Sequence, residues 1–293
     1  MMIFRVPRLR ASALIVAALI FVLGATASRA QSASPWARSA HSSIRLLDGG
    51  PAGDGNRLMG VEIALARDFK TYWRDPGDSG LPPVFDWSAS LNVKSVAVEW
   101  PVPHRFDDSA GSSIGYSEDV VLPIFVTPLD PSRPMTLRLK ADYAVCSTIC
   151  IPGRGETALA VDPRGRQNAE HAQRIGRFRS RVPATGEIGD AAIPGLLRIT
   201  ALPKAVEIEG RVPASGKIVD VFVEGPTGWL FGASVPAVVL PDGSSVRRMI
   251  WRAPVVDRPQ GGSLAGLSLV VTVVADETGT EYRLALDAGE GAR

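Results

Sequence analysis

Residues 143–153, Tyr143-Ala-Val-Cys146-Ser-Thr-Ile-Cys150-Ile-Pro-Gly153, contain both cysteines of the 293-residue chain, separated by three residues. Before Cys146, apolar and polar side chains alternate from residue 136 onward, and this period of two indicates a strand with one buried face. The proline and glycines of residues 152–155 indicate a turn, and residues 156–161 indicate the returning strand. We therefore predict that the cysteine pair lies at the tip of an exposed β-hairpin.

The first thirty residues have the pattern of an export signal. Three arginines precede an apolar run at residues 11–24, and small residues around Ala30 fit a cleavage site. The run is shorter than the roughly 20 apolar residues of a membrane span, although a retained anchor is the alternative. We expect a leader at residues 1–30 and an exported, periplasmic mature protein without a transmembrane segment, in a compartment that permits disulfides.

The basic balance of the whole chain comes from this leader. The chain has 32 basic and 30 acidic residues, a formal net charge of +2. Four arginines, at positions 5, 8, 10 and 29, lie in the predicted leader, which has no acidic residue. Without them, 28 basic residues face 30 acidic ones, a net charge of −2. This charge favours neither nucleic acid nor an anionic membrane surface as a partner.

Composition and length indicate two all-β domains. Glycine and proline are abundant, helical periodicity is scarce and short alternating runs recur, which is typical of β-sandwiches. We predict an immunoglobulin-like β-sandwich at residues 31–163, a helical linker at 164–185 and a second β-sandwich-like domain at 186–293. The helix is expected within residues 168–181, as a solvated connector with basic faces.

Short strand-like runs divide both halves of the chain. About seven occur between residues 43 and 161, whereas prolines, glycines and polar residues predict loops at residues 71–83 and 104–116. Seven further runs follow at residues 196–202, 205–212, 218–224, 235–240, 246–251, 267–275 and 281–286. The second half contains no cysteine and no chemical motif, so we expect it to pack against or present the first domain.

Three kinds of chemistry are open to the cysteine pair. A structural disulfide closing a loop of about five residues stabilises by only roughly 2 kcal/mol. Two neighbouring thiols also suit redox exchange, in which one attacks a partner's disulfide and the other resolves the mixed disulfide. The attacking sulfur must be a thiolate, so its electrostatic surroundings matter. The residues alone do not identify which cysteine attacks.

Metal binding is the third alternative. Zinc needs three or four protein ligands, and the chain offers two cysteines and three scattered histidines. Copper(I) is softer, and Cys146 and Cys150 could hold it together with His104. No nucleophile elbow, zinc-protease motif or phosphate-binding glycine loop occurs in the sequence. We therefore expect no resident metal or other cofactor, with copper(I) as the alternative.

The motifs upstream of the cysteines resemble a known family. In order, they are Tyr72-Trp73-Arg74, Phe85-Asp86-Trp87, Trp100-Pro101, His104-Arg105-Phe106-Asp107-Asp108, Tyr116, Val121-Leu122-Pro123, and Cys146 and Cys150 followed by Pro152. Together they resemble the N-terminal periplasmic domain of the thiol:disulfide interchange protein DsbD, in the form found in soluble alphaproteobacterial proteins. The resemblance covers about residues 40–162.

The resemblance implies an immunoglobulin-like domain with an active cysteine pair, Cys146 and Cys150. It implies partners of two kinds, a membrane-embedded thiol reductant and periplasmic thiol proteins. By position, Phe106, Asp107 and Asp108 match the family's cap loop, which shields the pair until a partner docks. Carboxylates beside the sulfur atoms would raise the pKa of a thiol. Tyr143 is then either a wall of the site or part of the core.

Two departures from the family bear on the function. Its best-known members have five residues between the cysteines, and this chain has three. The chain also shows no central membrane domain and no thioredoxin-like domain, so we expect it to need a separate reductant. We predict a periplasmic thiol–disulfide exchange protein, whether or not it acts as a component of a protein-disulfide reductase. The alternatives are a copper(I)-binding or copper-tolerance protein and a structural adaptor with an inert disulfide.

Overall fold

A computed structural model describes residues 31–78, 80–108, 111–165, 167–241 and 245–287. The predicted leader at residues 1–30 lies outside these residues. Apart from one helix of 11 residues, the regular structure described is all β. No helix within the described ranges has the length and hydropathy needed to cross a membrane.

The first half of the described chain forms two sheets. Its strands are β1 (Ala37–Arg38), β2 (Ser42–Gly53), β3 (Asn56–Leu65), β4 (Lys70–Gly77), β5 (Val84–Asp86), β6 (Val93–Val98), β7 (His104–Asp108), β8 (Gly111–Tyr116), β9 (Val120–Pro128), β10 (Met135–Cys146) and β11 (Cys150–Val161). One sheet has the order β1-β2-β3-β9-β6 and the other the order β11-β10-β4-β8-β7, with β5 beside β10. The two sheets enclose a common core, as a sandwich does.

The alternation predicted for β10 is confirmed. Leu137, Leu139, Ala141, Tyr143 and Val145 are buried in this core, because successive side chains of a strand point to opposite faces of the sheet. The other sheet contributes buried residues of β2, β3 and β9. The even-numbered residues of β10, which end at Cys146, therefore face away from the core.

The loop predictions for residues 71–83 and 104–116 are wrong, because strands β4, β7 and β8 occupy much of both stretches. Glycine and proline fit these strands for two separate reasons. A Cβ atom on Gly115 would lie 1.9 Å from the carbonyl oxygen of Thr71 on the neighbouring strand, so this close pairing requires glycine. Pro76 lies where the register between β4 and β8 is interrupted.

The turn of the cysteine hairpin is also shifted relative to the prediction. The bend occupies residues 147–149, and β11 begins at Cys150 and continues through Pro152 and Gly153. Proline fits here because β11 is the edge strand of its sheet. A Cβ on Gly153 would lie 2.9 Å from the ring of Tyr143, so this strand needs a glycine beside the tyrosine.

Helix α1 (Ala169–Arg179) follows the first sandwich. The side chain of Asn168 caps it by accepting a 3.1 Å hydrogen bond from the backbone N–H of His171. Its single buried residue, Ile175, packs against Leu47 and Val121 on the outer face of the first sheet. The predicted solvated connector is therefore docked on the sandwich, with most of its arginines toward solvent.

The second half of the described chain forms another pair of sheets. Its strands are β12 (Ala184–Thr185), β13 (Gly195–Leu202), β14 (Ala205–Pro213), β15 (Val219–Glu224), β16 (Leu230–Phe231), β17 (Val235–Pro241), β18 (Val246–Asp257), β19 (Ser268–Ala275) and β20 (Thr278–Ala285). The sheets have the orders β12-β20-β19-β15 and β13-β14-β18-β16, with β17 also on β18. All seven predicted runs are strands, and the predicted fold class is confirmed.

The two sandwiches share part of one core. Phe222 of β15 and Val274 of β19 are buried within the hydrophobic core of the first sandwich. The rest of the second sandwich encloses its own core around Trp251 and Tyr282. The predicted packing of the second half against the first is therefore observed, and it involves the sheet that carries the cysteines.

Candidate functional site

The two cysteines face each other across the hairpin. Cys146 is the last residue of β10, Cys150 is the first of β11, and they are direct register partners. Their sulfur atoms form a disulfide bond. The short turn between them is exposed and is closed by a hydrogen bond from the N–H of Ser147 to the carbonyl oxygen of Ile149. The disulfide therefore lies at one corner of the sheet.

The two cysteines differ in exposure. Cys146 is 2% exposed and packs with Tyr72 and Ala144 in a small cluster on the face of the sheet away from the core. Cys150 is exposed. An incoming group therefore reaches Cys150, whereas Cys146 is covered by its neighbours.

Tyr72 is the side chain that touches the disulfide. Its hydroxyl lies 2.7 Å from Cys146 Sγ and 3.1 Å from Cys150 Sγ. A disulfide has no S–H group, so the hydroxyl donates to sulfur. The ring is buried, and the segment around Gly80 covers it, since a Cβ there would lie 2.7 Å from Tyr72 Cδ1. A fixed donor at this place would stabilise negative charge that forms on Cys146.

Lys70, on the same strand as Tyr72, lies directly across from Cys146. The two residues are register partners between β4 and β10, so their side chains project from the same face of the sheet. Lys70 Nζ donates a 2.9 Å hydrogen bond to Ser113 Oγ and lies 5.4 Å from the ring centroid of Phe106. A cationic side chain beside a cysteine favours the thiolate over the thiol.

Sequence reasoning assigned no role to Tyr72 or Lys70. Tyr72 belongs to one of the quoted motifs, but Thr71, Tyr72 and Trp73 are all buried, so the stretch shows no alternation. The pairing of β4 with β10 is a long-range contact without a local signal. The folded structure, and not the sequence, therefore shows that Tyr72 and Lys70 lie next to the cysteines.

The predicted cap residues lie on strand β7 rather than in a loop. Phe106 pairs with Ser113, and its ring centroid lies 5.4 Å from Lys70 Nζ. Asp107 is exposed, and alternation directs it to the opposite face, where its charge contributes to the raised pKa of buried Asp220 after burial itself. The side chain of Asp108 lies outside what the structure describes. Shielding of the sulfur atoms by this segment stays a prediction.

Tyr143 occupies the core and not the site. It is three residues from Cys146, so its side chain is on the other face of β10. Its hydroxyl forms a 2.8 Å hydrogen bond with Ser42 Oγ on the facing sheet, and burial raises the pKa of this hydroxyl. Of the two alternatives for Tyr143, its contacts match the core residue.

His104, the alternative copper ligand, is distant from the cysteines within the sheet. Strand β7 is three positions away from β10, about 14 Å at the usual strand spacing. Across the described ranges, no group of three or more His, Cys, Asp or Glu residues is placed to hold a metal ion. The copper(I) alternative therefore depends on Cys146 and Cys150 alone.

Comparison with known proteins supports the resemblance drawn from the motifs. Residues 45–162 match the family model of the thiol:disulfide interchange protein DsbD, N-terminal. No curated protein sequence matches the chain. Among solved structures, the N-terminal periplasmic domain of ScsB from Proteus mirabilis matches with a TM-score of 0.68 and 20% identity, covering 88% of this chain and 99% of that chain.

The two matches have different extents. The family model ends at residue 162, whereas the structural likeness covers so much of the chain that it includes the second sandwich. At 20% identity, this likeness shows the fold alone. Residues 45–162 thus match the N-terminal family of DsbD, as the motifs predicted, and the two-sandwich fold is shared with the periplasmic domain of ScsB.

Proposed function

We propose that this protein performs thiol–disulfide exchange through Cys146 and Cys150. It passes reducing equivalents between a membrane-embedded thiol reductant and periplasmic thiol proteins. The observation that carries this proposal is the asymmetry of the pair, since Cys150 is exposed and Cys146 is buried against the Tyr72 hydroxyl. A nucleophile can approach one sulfur while the other is held in a polar contact that suits a leaving thiolate.

The exchange begins with attack by a partner's thiolate on Cys150 Sγ. A new bond forms between the partner's sulfur and Cys150, the Cys146–Cys150 bond breaks, and its electron pair remains on Cys146. The partner's second thiolate then attacks the partner sulfur of the mixed disulfide and releases Cys150 as a thiolate. The partner leaves as a disulfide, and this protein has gained two electrons. Two protons from solvent complete the dithiol, and the reverse sequence reduces an oxidised partner.

The neighbours of the sulfur atoms act on the leaving thiolate. The Tyr72 hydroxyl donates to Cys146 in the disulfide, and a thiolate is a stronger acceptor than a disulfide sulfur. Lys70, the register partner of Cys146, adds a positive charge on the same face of the sheet, which favours negative charge on Cys146. Both groups stabilise the reduced form more than the oxidised form, which promotes reversible exchange.

The proposed compartment is the periplasm. The matching family is named for thiol:disulfide interchange, and the matching ScsB domain is described as periplasmic. A disulfide in this chain fits an oxidising compartment. The pattern of residues 1–30 provides the export route.

Two single-cysteine variants test the proposal. With dithiobis(nitrobenzoate) as the probe, Cys146→Ser protein should form a mixed disulfide at its exposed Cys150 at least about ten times faster than Cys150→Ser protein does at its buried Cys146. The denatured variants serve as the control, since both thiols should then react at similar rates. Equal reaction rates in the folded variants would contradict the assignment of Cys150 as the exchanging sulfur.

A further inference from the structure

The second sandwich holds the strand that carries Tyr72. Arg74, two residues beyond Tyr72, donates from Nε and Nη2 to the two carboxylate oxygens of Glu224, at 2.9 and 2.7 Å. Its Nη2 also donates to Glu281. Glu224 belongs to β15 and Glu281 to β20. One guanidinium of the cysteine-bearing sheet is therefore fixed by two strands of the second sandwich.

A second ion pair fixes strand β7 to the same sheet. Arg105 donates to both carboxylate oxygens of Asp220 on β15, at 2.8 and 3.0 Å. Both side chains are mostly buried, with 13% and 16% exposure. Strand β7 also carries Phe106, whose ring centroid lies 5.4 Å from Lys70 Nζ. Strand β4, which carries Tyr72 and Lys70, and strand β7, whose Phe106 contacts Lys70, are thus both anchored to β15.

Aromatic rings connect the two ion pairs. Trp73 is fully buried, and its ring centroid lies 5.5 Å from that of Phe222 on β15. The guanidinium carbon of Arg74 lies 4.4 Å from the Trp73 ring, and that of Arg105 lies 5.2 Å from the Phe222 ring. We call this group, Trp73, Arg74, Arg105, Asp220, Phe222 and Glu224, the interdomain clamp. It combines charge pairing with cation–π contacts in a mostly buried interface.

The register of β4 explains why this clamp matters for the site. Pairing between β4 and β8 jumps from Tyr72–Gly115 to Gly77–Ser113, so the ladder is interrupted after Tyr72. Pairing with β10 is confined to Thr71 and Lys70. Between Tyr72 and Gly77, where this pairing is interrupted, Trp73 packs in the core against Phe222 and Arg74 is bonded to Glu224 and Glu281 of the second sandwich.

We propose that the second sandwich is a positioning element for the cysteine site, and that Arg74 is a positioning residue acting through Tyr72. This inference rests on the proposed exchange function. The clamp keeps β4 in place so that the Tyr72 hydroxyl stays within hydrogen-bonding distance of Cys146 Sγ. Mostly buried ion pairs add little net stability, because desolvation offsets their attraction. Their directional bonds nevertheless select one geometry, which is what a 2.7 Å contact with sulfur requires.

The test measures the thiol–disulfide equilibrium of the mature two-sandwich protein in glutathione buffers. Arg74→Met keeps the aliphatic part of the side chain on Trp73 and removes the ion pairs. We expect it to shift the equilibrium toward the disulfide at least tenfold, about 30 mV for a two-electron couple. Arg252→Met is the matched control, since Arg252 pairs with Glu207 within the second sandwich, and it should change the equilibrium less than twofold.

A double-mutant cycle separates positioning from general destabilisation. In a Tyr72→Phe background, Arg74→Met should have less than a twofold effect on the equilibrium, because the hydroxyl that it positions is gone. The near-isosteric pair Glu224→Gln and Glu281→Gln provides a second route if Arg74→Met does not fold. These substitutions should also shift the equilibrium toward the disulfide.

The outcomes distinguish this inference from the proposed function. If the wild-type pair exchanges with glutathione while Arg74→Met and the glutamine variants leave its equilibrium within twofold, the positioning role is overturned and exchange stands. An Arg74→Met effect that persists in full without the Tyr72 hydroxyl overturns action through Tyr72. If the wild-type pair does not exchange at all, the proposed function itself fails.

Discussion

The hydroxyl of Tyr72 lies 2.7 Å from the sulfur of Cys146, on the neighbouring strand of the same sheet. Three residues before Cys146, the hydroxyl of Tyr143 instead meets Ser42 in the core. Two tyrosines near one disulfide thus have different surroundings, because they project from opposite faces of the sheet. This difference provides a matched pair of substitutions.

Tyr72→Phe should slow reduction of the disulfide by dithiothreitol about tenfold. The ring and its packing remain, but the donor to the leaving sulfur is lost, and a hydrogen bond to a charged group contributes roughly 1.5–3 kcal/mol. Tyr143→Phe should leave this rate unchanged and instead lower the free energy of unfolding by about 1 kcal/mol. Equal reduction rates for Tyr72→Phe and wild-type protein would remove Tyr72 from the mechanism.

Lys70 should favour the thiolate in the reduced protein. In Lys70→Met protein, the thiolate absorbance in the ultraviolet should appear at higher pH than in wild-type protein, because a nearby positive charge has been removed. Lys70→Arg keeps the charge and should resemble wild-type protein. If all three proteins titrate alike, the ammonium of Lys70 does not act on the cysteines.

Asp75 should make the stability of the protein depend on pH. Burial raises the pKa of this carboxyl, and the charges of Glu224 and Asp78 add to the effect, against the Gly77 N–H and Arg74. The ordinary pKa of an aspartate is 3.8, and folding raises the pKa of Asp75 above it. As the pH increases from 3.8 through the raised pKa, ionisation of this carboxyl lowers the free energy of unfolding. Asp75→Asn should therefore be more stable than wild-type protein at pH 7.

The control for this prediction is the same comparison at acidic pH. Near pH 3, the aspartate is protonated in both the folded and the unfolded states, so the advantage of Asp75→Asn should largely disappear. Urea unfolding at the two pH values measures the difference. An advantage of the same size at both values would contradict the account of Asp75.

Docking of helix α1 should depend on Ile175. Ile175→Ala removes a fully buried side chain from between Leu47 and Val121, and such truncations cost about 2–5 kcal/mol. Gln173→Ala, at an exposed position of the same helix, should change the free energy of unfolding by less than about 0.5 kcal/mol. A cost below about 1 kcal/mol for Ile175→Ala in urea unfolding would show that the helix is not firmly docked.

The sequence predicted the parts of the fold that repeat with a local period. The alternation before Cys146 defined β10 and its buried face, and the regular runs of the second half defined a second sandwich. Strand β4 was missed because consecutive residues are buried on both faces of its sheet. Strands β7 and β8 were missed because glycine and polar residues there are accommodated by close strand contacts, as at Gly115.

The sequence predicted the cysteines of the site and missed their neighbours, because the neighbours come from strands that were not predicted. The cysteine spacing identified the pair that forms the disulfide. The residues beside the sulfur atoms come from β4, and Tyr72 precedes Cys146 by 74 residues. Because residues 104–116 were predicted to be a loop, the sequence could not show from which face of the sheet each side chain of β7 projects. In the structure, Asp107 lies on the face toward Asp220 and not among the groups that contact the disulfide.

The redox potential of the Cys146–Cys150 pair tests the central claim most directly. The purified mature protein would be equilibrated in glutathione or dithiothreitol buffers, and its free thiols would be trapped and counted. Exchange predicts a potential clearly above about −300 mV, in the range of labile and catalytic disulfides. A potential well below about −300 mV would identify an inert structural disulfide and contradict the account.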